Sequence, residues 1–325
     1  YKKILILIIF PYIYLTMVLV LPTQNATTTP GGLTNVTTVI EIDGYVMPDN
    51  FHTVFVLTYS PLTPFQTWIL SLDKQVNVYE MTARQKDTSW RDDMMQGQVS
   101  KFVSYKTAII KAFELASLED PSIEIDYQYE GLYVYYRPGH ITGLDIGNQI
   151  VEINGNKAED YTHEAFKMFA YQFPVTFTIK KETTEGPVFE LFHYDHVEGD
   201  EYMIFYPNYA INSSTPSFDL PGLTSNLGGA SGGLIQTLAL YASLLKLNIG
   251  TLQIAGTGTI EMDGTVDRIG GIQQKLYSVM NTKIDIFFVP ESHASDIDDL
   301  ETTHEIVFVN TIEEAVQKLH EAIND

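Results

Sequence analysis

The pattern of apolar and polar positions predicts alternating strands and helices. Residues 37–46 and 51–59 alternate in polarity around turn residues 47–50, which predicts a β-hairpin. Apolar residues recur at helical spacing through 92–118, which predicts a long helix. A second helix is expected over 161–171, followed by a strand at 175–181.

The C-terminal third follows the same logic. Apolar residues after Ser231 recur every three to four positions, so a helix should begin near this serine, as the following residues indicate: Leu234, Leu238, Tyr241 and Leu245. Residues 251–260 alternate like a strand and precede the turn residues Asp263 and Gly264. Gly270 and Gly271 then interrupt the chain before a short helix that carries Lys275.

The last segment, 311–323, predicts a docked helix. Thr311 and Glu314 have the spacing of a capping box, and the apolar residues that follow lie on one helical face. We expect this helix to cover the core of the C-terminal region.

The N-terminus differs from the rest of the chain. Lys2 and Lys3 precede an uncharged run over residues 4–21. At about 1.5 Å per residue in a helix, this run approaches the ~30 Å thickness of a hydrocarbon core. It predicts a membrane-spanning helix with its N-terminus inside and the bulk of the chain outside. A cleaved signal peptide is the alternative.

Composition and charge narrow the functional classes. The chain has 325 residues, of which 45% are hydrophobic and 18% charged, as is typical of globular proteins. Its net charge of −22 argues against nucleic-acid binding. The absence of cysteine excludes disulfides, thiolate metal sites and a cysteine nucleophile. His193 and His196 lack a third ligand nearby in sequence, so we predict no metal and no cofactor.

The candidate chemistry centres on Ser231 and Lys275, each in a glycine-punctuated segment. Serine becomes a nucleophile when a base takes its proton, and a lysine can be that base if burial keeps it neutral. The pair therefore requires a close and partly dry pocket.

Two other motif interpretations apply to these residues. Gly229, Ser231 and Gly233 fit the GxSxG nucleophile elbow of α/β-hydrolases, which would require a later histidine such as His293. The elbow also needs a strand before the serine, whereas residues 219–229 have loop composition. A GxGxxG dinucleotide motif beginning at Gly256 fails, because Glu261 stands where its last glycine should be.

Four segments resemble the proteolytic domain of Lon-type proteases in order and spacing: LGGASGGL around Ser231, IAGTGTI from Ile254, DGTVDRIGGIQQK ending at Lys275, and DIFFVP ending at Pro290. The resemblance is greatest to membrane-anchored bacterial Lon-like proteins that carry a PDZ domain and lack the ATPase module. It implies that Ser231 is the nucleophile, Lys275 its general base, and Thr257 a residue that holds the lysine. Gly229, Ala230 and Gly232 would shape the turn, although the family usually has proline before the serine and alanine after it.

Residues 126–183 resemble a PDZ domain through three segments: EGLYVYY from Glu130, GLDIGNQIVEINGNKAED from Gly143, and VTFTIKK from Val175. PDZ domains bind an extended peptide as an added strand. The resemblance implies a carboxylate loop at Gly131, Leu132 and Tyr133, a pairing edge that continues through Val134 to Arg137, and a pocket wall containing His163 and Phe166. A packing or gating role for this module is the alternative.

These observations predict an α/β (α+β) Lon-type proteolytic domain with a small PDZ domain, a partly open β-barrel with helices, and an N-terminal transmembrane helix. The expected domains are an anchor (1–22), a linker (23–36), N-terminal strands and a helix associated with the protease (37–125), the PDZ domain (126–183) and the proteolytic domain (184–325).

The expected function is that of an ATP-independent serine endopeptidase at the outer face of the cell membrane. No GxxxxGKS motif for ATP binding occurs in the sequence. Expected partners are peptide or protein substrates and the membrane, and the family resemblance implies a homo-oligomer, a hexamer. The alternative is a non-catalytic scaffold that binds peptides through the PDZ domain.

Overall fold

A computed structural model describes residues 2–38, 40–220 and 229–324; the side chains of residues 2–8, 38 and 182 also lie outside the description. The described helices are α1 (Lys2–Val20), α2 (Pro64–Leu70), α3 (Ala83–Asp87), α4 (Trp90–Glu119), α5 (His163–Phe169), α6 (Gly233–Leu244), α7 (Ile272–Met280), α8 (Ala294–Ile297) and α9 (Ile312–Asn324). The described strands are β1 (Asn25–Asn35), β2 (Glu41–Ile42), β3 (Phe51–Tyr59), β4 (Asn77–Glu80), β5 (Glu124–Tyr136), β6 (Gln149–Ile153), β7 (Asn156–Lys157), β8 (Val175–Thr183), β9 (Gly186–Tyr194), β10 (Ile204–Thr215), β11 (Phe218–Asp219), β12 (Ile254–Gly256), β13 (Thr259–Ile260), β14 (Val266–Asp267), β15 (Ile286–Pro290) and β16 (Glu305–Val309).

The first sheet joins the N-terminal and C-terminal parts of the chain. Its strand order is β16-β15-β12-β3-β1-β4. Strands β16, β15, β12 and β3 pair in parallel, whereas β1 pairs antiparallel with β3 and β4. The two ends of the sequence therefore form one continuous layer.

Alternating side chains of this sheet enter two separate cores. Ile254 and Phe288 pack against α6 and α9 on one face. Their neighbours Ala255 and Phe287 pack against α7 and α8 on the other face. Successive strand residues point to opposite faces, so this alternation produces a layer of helices on each side of the sheet.

The predicted hairpin partner of β3 is wrong, and so is the predicted linker over 23–36. Strand β3 pairs with β1, which occupies most of that linker. Within 37–46 the structure has the short strand β2, which pairs with β11. Threonine-rich composition suggested a loop, but Thr27 and Thr28 are buried, and β-branched threonine packs well in strands.

The long helix predicted at 92–118 is confirmed as α4. Its apolar face includes Ile109, Ala112 and Phe113, which form a core with Leu240 and Tyr241 of α6. Helix α4 also packs against β5 and β10. It therefore connects the first sheet and its helices to the second sheet.

The second sheet has the order β10-β5-β6-β8-β9, with β7 paired to β6. Phe166 of α5 packs in its core together with Val134, Phe177 and Phe205. Helix α5 and strand β8 agree with the predicted helix and strand of this region. The boundary predicted between residues 183 and 184 is wrong, because β9 and β10 belong to the same sheet as β5 and β8.

The predicted membrane span over residues 4–21 falls on α1, whose side chains at residues 2–8 lie outside the described part. Among the described residues, no helix has the length and apolarity needed to cross a membrane.

Gly131 and Gly97 allow a test of the second sheet. Gly131 has φ +131°, and a Cβ there would lie 2.0 Å from the carbonyl oxygen of Ile150. We predict that Gly131→Ala lowers the free energy of unfolding by at least ~3 kcal/mol, from backbone strain and this clash. Gly97→Ala, in α4 with nothing within 4 Å of the added Cβ, should raise it by about 0.5–1 kcal/mol. Urea unfolding followed by circular dichroism measures both, and equal stability of the two variants would contradict the strand pairing at Gly131.

Candidate active site

Ser231 lies in a 3₁₀ turn, Ala230–Gly232, that leads directly into α6, so the helix predicted near this serine is confirmed. The turn is held from two sides. Ser104 of α4 donates its hydroxyl hydrogen to the Ala230 carbonyl at 3.0 Å, and the Gly258 amide donates to the Ser231 carbonyl at 2.8 Å. Ser231 itself is half-buried. Its backbone is thus fixed while its side chain stays within reach of solvent.

Lys275 approaches Ser231 from α7. Gly271, at the left-handed φ of +69°, precedes the helix, and Lys275 follows one turn later. The lysine side chain is 2% exposed, and its Nζ lies 2.7 Å from the Ser231 Oγ. The structure therefore brings together the two residues that the sequence places 44 positions apart.

Thr257 is the third member of this group and is fully buried just after β12. Its Oγ1 donates to the Ser231 carbonyl at 3.1 Å and lies 2.8 Å from the Lys275 Nζ. Because the threonine hydrogen is committed to that carbonyl, Thr257 accepts from the lysine. In a neutral lysine this contact takes up one N–H and leaves the nitrogen lone pair free to face Ser231.

Burial lowers the pKa of Lys275 from 10.5 to about 7. Removal from water disfavours the charged ammonium. A large fraction of Lys275 is therefore neutral near pH 7, as a general base must be.

The glycines near Ser231 have different roles. No atom of the described residues lies within 4 Å of a Cβ added at Gly229. At Gly256 an added Cβ would lie 2.9 Å from Ile235 of α6, so this glycine permits close packing of strand and helix. Close packing of strand and helix therefore explains the glycine at position 256.

The structure explains one departure from the Lon pattern, which is the glycine at position 232. A Cβ at this position would lie 3.0 Å from the Gln236 Nε2 and 3.1 Å from the Thr53 Cγ2. These two side chains already fill the space that an alanine methyl group would need. Nothing in the structure explains the alanine at 230, which is half-buried beside the serine.

The start of α6 provides backbone donors beside Ser231. The Gly233 amide donates to the Ala230 carbonyl, and the Leu234 amide donates to the Gly258 carbonyl at 3.1 Å. The amides of Ser231 and Gly232 precede these two, at the helix end where free N–H groups and positive potential are found. An oxyanion next to the Ser231 Oγ would be stabilised by such groups.

His293 does not serve as the histidine of a hydrolase triad. Its Nε2 accepts the Ile269 amide hydrogen at 2.9 Å, so its Nδ1 donates to the Asp296 carboxylate at 2.6 Å. Both nitrogens are engaged away from Ser231. His293 is buried and fixes the loop that leads into α7 and thus to Lys275. His293 therefore does not supply the histidine that the GxSxG interpretation requires.

The predicted peptide-binding residues of the PDZ module are not arranged as expected. Gly131, Leu132, Tyr133 and Val134 lie inside β5 and not in a loop. Beyond Gly131 this strand pairs with β10 on one side, and with β6 on the other at Leu132 and Tyr133. The predicted carboxylate loop is therefore wrong, and the predicted pairing edge is already occupied by β10.

The predicted pocket wall is only partly available. Phe166 is fully buried in the core of the second sheet, whereas His163 is half-buried with its ring centre 5.9 Å from that of Tyr129. The hydroxyl of Tyr129 and the Nε2 of His163 are buried without a hydrogen-bond partner in the described structure.

The two histidines considered as a metal pair have other contacts. The His193 Nδ1 lies 2.8 Å from the Thr176 Oγ1, and the His196 ring stacks on Tyr202 with ring centres 4.5 Å apart. Within the described ranges, no group of three potential ligands among histidine, aspartate and glutamate could hold a metal ion.

Comparisons with known proteins match the part of the chain that contains the serine, the lysine and the threonine of this site. Residues 218–323, which include Ser231, Thr257 and Lys275, match the family model of the Lon protease (S16) C-terminal proteolytic domain. Lon protease 1 of Sorangium cellulosum (strain So ce56) is 33% identical over 94 residues, which is 28% of this chain and 12% of that protein. Lon protease of Lachnoclostridium phytofermentans (strain ATCC 700394 / DSM 18823 / ISDg) is 29% identical over 93 residues, 27% of this chain and 11% of that protein.

The match is confined to one part of the chain, and the chain spans only about a ninth to an eighth of the length of these relatives. For that part, the chain is similar to the Lon proteolytic domain.

Sequence reasoning missed the supporting roles of three residues, Ser104, His293 and Asp296. Ser104 is distant in sequence and carries no motif, so no signal pointed to it. His293 and Asp296 stand three positions apart directly after the strand β15, a spacing that favours a local histidine–carboxylate contact.

Replacing Lys275 tests its burial. An unfolded lysine binds a proton up to about pH 10.5, whereas the folded one releases it above about pH 7. Between these values the unfolded state holds more protons, so this group makes the folded state more stable as pH rises. We predict that the free energy of unfolding of the wild type, relative to Lys275→Met, increases by up to about 1.4 kcal/mol per pH unit in this window.

Urea unfolding of both proteins at several pH values between 7 and 10 measures this difference. The other titrating groups contribute equally in both proteins, so their contributions cancel. A difference independent of pH would mean that Lys275 stays charged in the folded protein.

Proposed function

We propose that this chain is a serine endopeptidase that cleaves peptides with a Ser231–Lys275 dyad. The observation that carries the proposal is the buried Lys275 Nζ, 2.7 Å from the half-buried Ser231 Oγ and 2.8 Å from the Thr257 Oγ1. The Lon-family match over 218–323 supports the same chemistry.

In the first half of the reaction, the Ser231 Oγ attacks the peptide carbonyl carbon while its proton passes to the neutral Lys275 Nζ. The amides of Ser231 and Gly232 stabilise the negative oxygen that develops. The carbon–nitrogen bond then breaks, and Lys275 returns the proton to the leaving amine.

In the second half, water replaces the amine. Lys275 takes a proton from this water as it attacks the ester on Ser231, and the proton returns to the Ser231 oxygen when the carboxylic acid product leaves. Thr257 holds the lysine nitrogen in place through both halves.

Ser231→Ala tests the nucleophile. We predict that it abolishes cleavage of a peptide library, read by mass spectrometry without added ATP, while circular dichroism and thermal unfolding remain as in the wild type. A serine-directed covalent reagent should label the wild type at Ser231 and fail to label Lys275→Ala. Full turnover by Ser231→Ala would rule out the proposed nucleophile, and labelling that persists in Lys275→Ala would rule out the proposed base.

The pH dependence follows from the base. Lys275 must be neutral to accept the serine proton, so kcat/KM should rise with pH through about 7 and level off above it. Below that value each pH unit should lower kcat/KM about tenfold, because the neutral fraction falls tenfold. Measurement between pH 5 and pH 9 checks this, and a constant kcat/KM would contradict the lysine as base.

We further propose that cleavage needs no ATP, since the sequence contains no GxxxxGKS motif. A peptidase that acts without ATP would cleave short peptides and exposed segments of proteins, and these are the expected substrates. Assembly into a hexameric ring is part of the proposal by family resemblance, and light scattering of the purified protein would test it.

A PDZ role for residues 126–183 remains part of this proposal, as a substrate-binding or gating module. Between Gln128 and Glu130, β5 has β10 on one side, and its pairing with β6 begins at Leu132. A cavity of about 510 Å³ lies there, also lined by Lys180 and Phe189. An extended peptide would find both room and a strand edge in this place.

We also propose that the bulk of the chain lies at the outer face of the cell membrane. Lys2 and Lys3 before the uncharged run support this orientation. Helix α2, which contacts α1, has no buried residue and exposes Phe65 and Trp68, aromatic types that are enriched at membrane interfaces. Protease treatment of intact cells should degrade the chain if this location is correct and spare it if the chain is internal.

A further inference from the structure

A cleft opens beside the proposed nucleophile. It has a volume of about 260 Å³, and Ala230, the residue before Ser231, forms part of its wall. Helix α4, strand β10 and the β13–β14 hairpin form the other walls. A peptide bound with its scissile bond at Ser231 would place a neighbouring side chain in this cleft.

The walls of the cleft differ in character. One part is apolar and is formed by Val103, Pro207, Ile260 and Met262. The other part carries the carboxylates of Glu261 and Asp267 on the β13–β14 hairpin. Both of these acidic residues are exposed, so their charged ends remain accessible to a ligand. An apolar stem with a positive end would match both parts.

The negative charge in the cleft is not neutralised by neighbouring cations. Arg268 also lines the cleft, but its guanidinium donates to the Asp296 carboxylate and to the Ser292 carbonyl. No ion pair to Glu261 or Asp267 occurs within the ranges that the structure describes.

The environment of Glu261 is unfavourable for its negative charge. Although the Glu261 side chain is exposed at the surface, nearby protein atoms displace part of the water around its carboxyl. This desolvation, and then the negative charges of Asp267 and Asp263, raise the pKa of the Glu261 carboxyl above its usual range. Lys167 of α5 offsets this only in part. A positive charge brought by a ligand would relieve the repulsion between these carboxylates.

We propose that this cleft is a specificity pocket for lysine or arginine directly flanking the scissile bond. The aliphatic stem would pack on Val103, Ile260 and Met262, and the charged end would pair with Glu261 and Asp267. The pocket rests on the proposed function, since it selects substrates for the reaction at Ser231. An acidic side chain at this position would be repelled, which adds to the discrimination.

The test uses the full chain and internally quenched peptides of one sequence, chosen from a cleavage survey of the wild type. The residue next to the cleaved bond is lysine, arginine, norleucine, glutamine or glutamate. Norleucine keeps the aliphatic stem of lysine and removes its charge, so the lysine to norleucine ratio of kcat/KM reports the charge alone. We expect a ratio of about ten for the wild type, typical of a hydrogen-bonded charge pair.

Variants then locate the source of that preference. Glu261→Gln and Asp267→Asn should each reduce the ratio toward one, and Glu261→Lys should shift the preference toward glutamate. Glu301→Gln is the matched control: it removes one negative charge from an exposed position outside the cleft and should leave the ratio unchanged. The norleucine peptide should be cleaved at similar rates by the wild type and Glu301→Gln, which shows that the dyad is intact in the control variant.

The outcomes separate this pocket from the proposed function. Cleavage that requires Ser231 but shows no preference for lysine over norleucine would overturn the pocket and leave the peptidase intact. A preference that survives both Glu261→Gln and Asp267→Asn, or that Glu301→Gln lowers equally, would also overturn it. A folded wild type that cleaves no library peptide would overturn both.

Discussion

The site depends on the removal of one amine from water. Lys275 is enclosed by the first sheet and its helices, and burial lowers its pKa to about 7. The same enclosure places its nitrogen between two hydroxyl groups, those of Ser231 and Thr257. Position and protonation state therefore have a common cause, which is the packing of α7 against the sheet.

Two elements, the turn with Ser231 and the loop before α7, position the hydroxyl and the amine, and each is fixed by contacts of its own. The turn with Ser231 is held by Ser104 from α4 and by the chain after β12. The loop before α7 is held by His293, which is itself oriented by Asp296. The residues that hold these two elements lie outside the dyad. They can therefore keep the Ser231 hydroxyl and the Lys275 amine within hydrogen-bond distance.

Much of the C-terminal region could be predicted from the sequence, because its signals are local. Helical spacing after Ser231, the glycine pair before α7 and the cap at Thr311 each depend on neighbouring residues, and the structure has helices at all three places.

Strand pairing could not be predicted in this way. The partner of β3 is β1 and not the run beside the turn, and β5 is covered by β10 from beyond the predicted domain boundary. Strand partners are determined by packing between segments that are distant in sequence. The local alternation of polar and apolar residues carries no information on that packing. The approach of Lys275 to Ser231 was suggested by resemblance and by the chemistry of serine activation, and its supports at Ser104 and His293 carried no comparable pattern.

The conversion of the supposed linker into strand β1 has a mechanical consequence. Residues 21–24 are all that separate α1 from β1, and β1 lies in the sheet beside β3, which is itself adjacent to β12 and the chain leading to Thr257. Because this connection is short, the position of α1 is closely tied to that of the sheet, which carries Thr257 at the end of β12. A longer connection would require strand β1 to separate from β3 and β4.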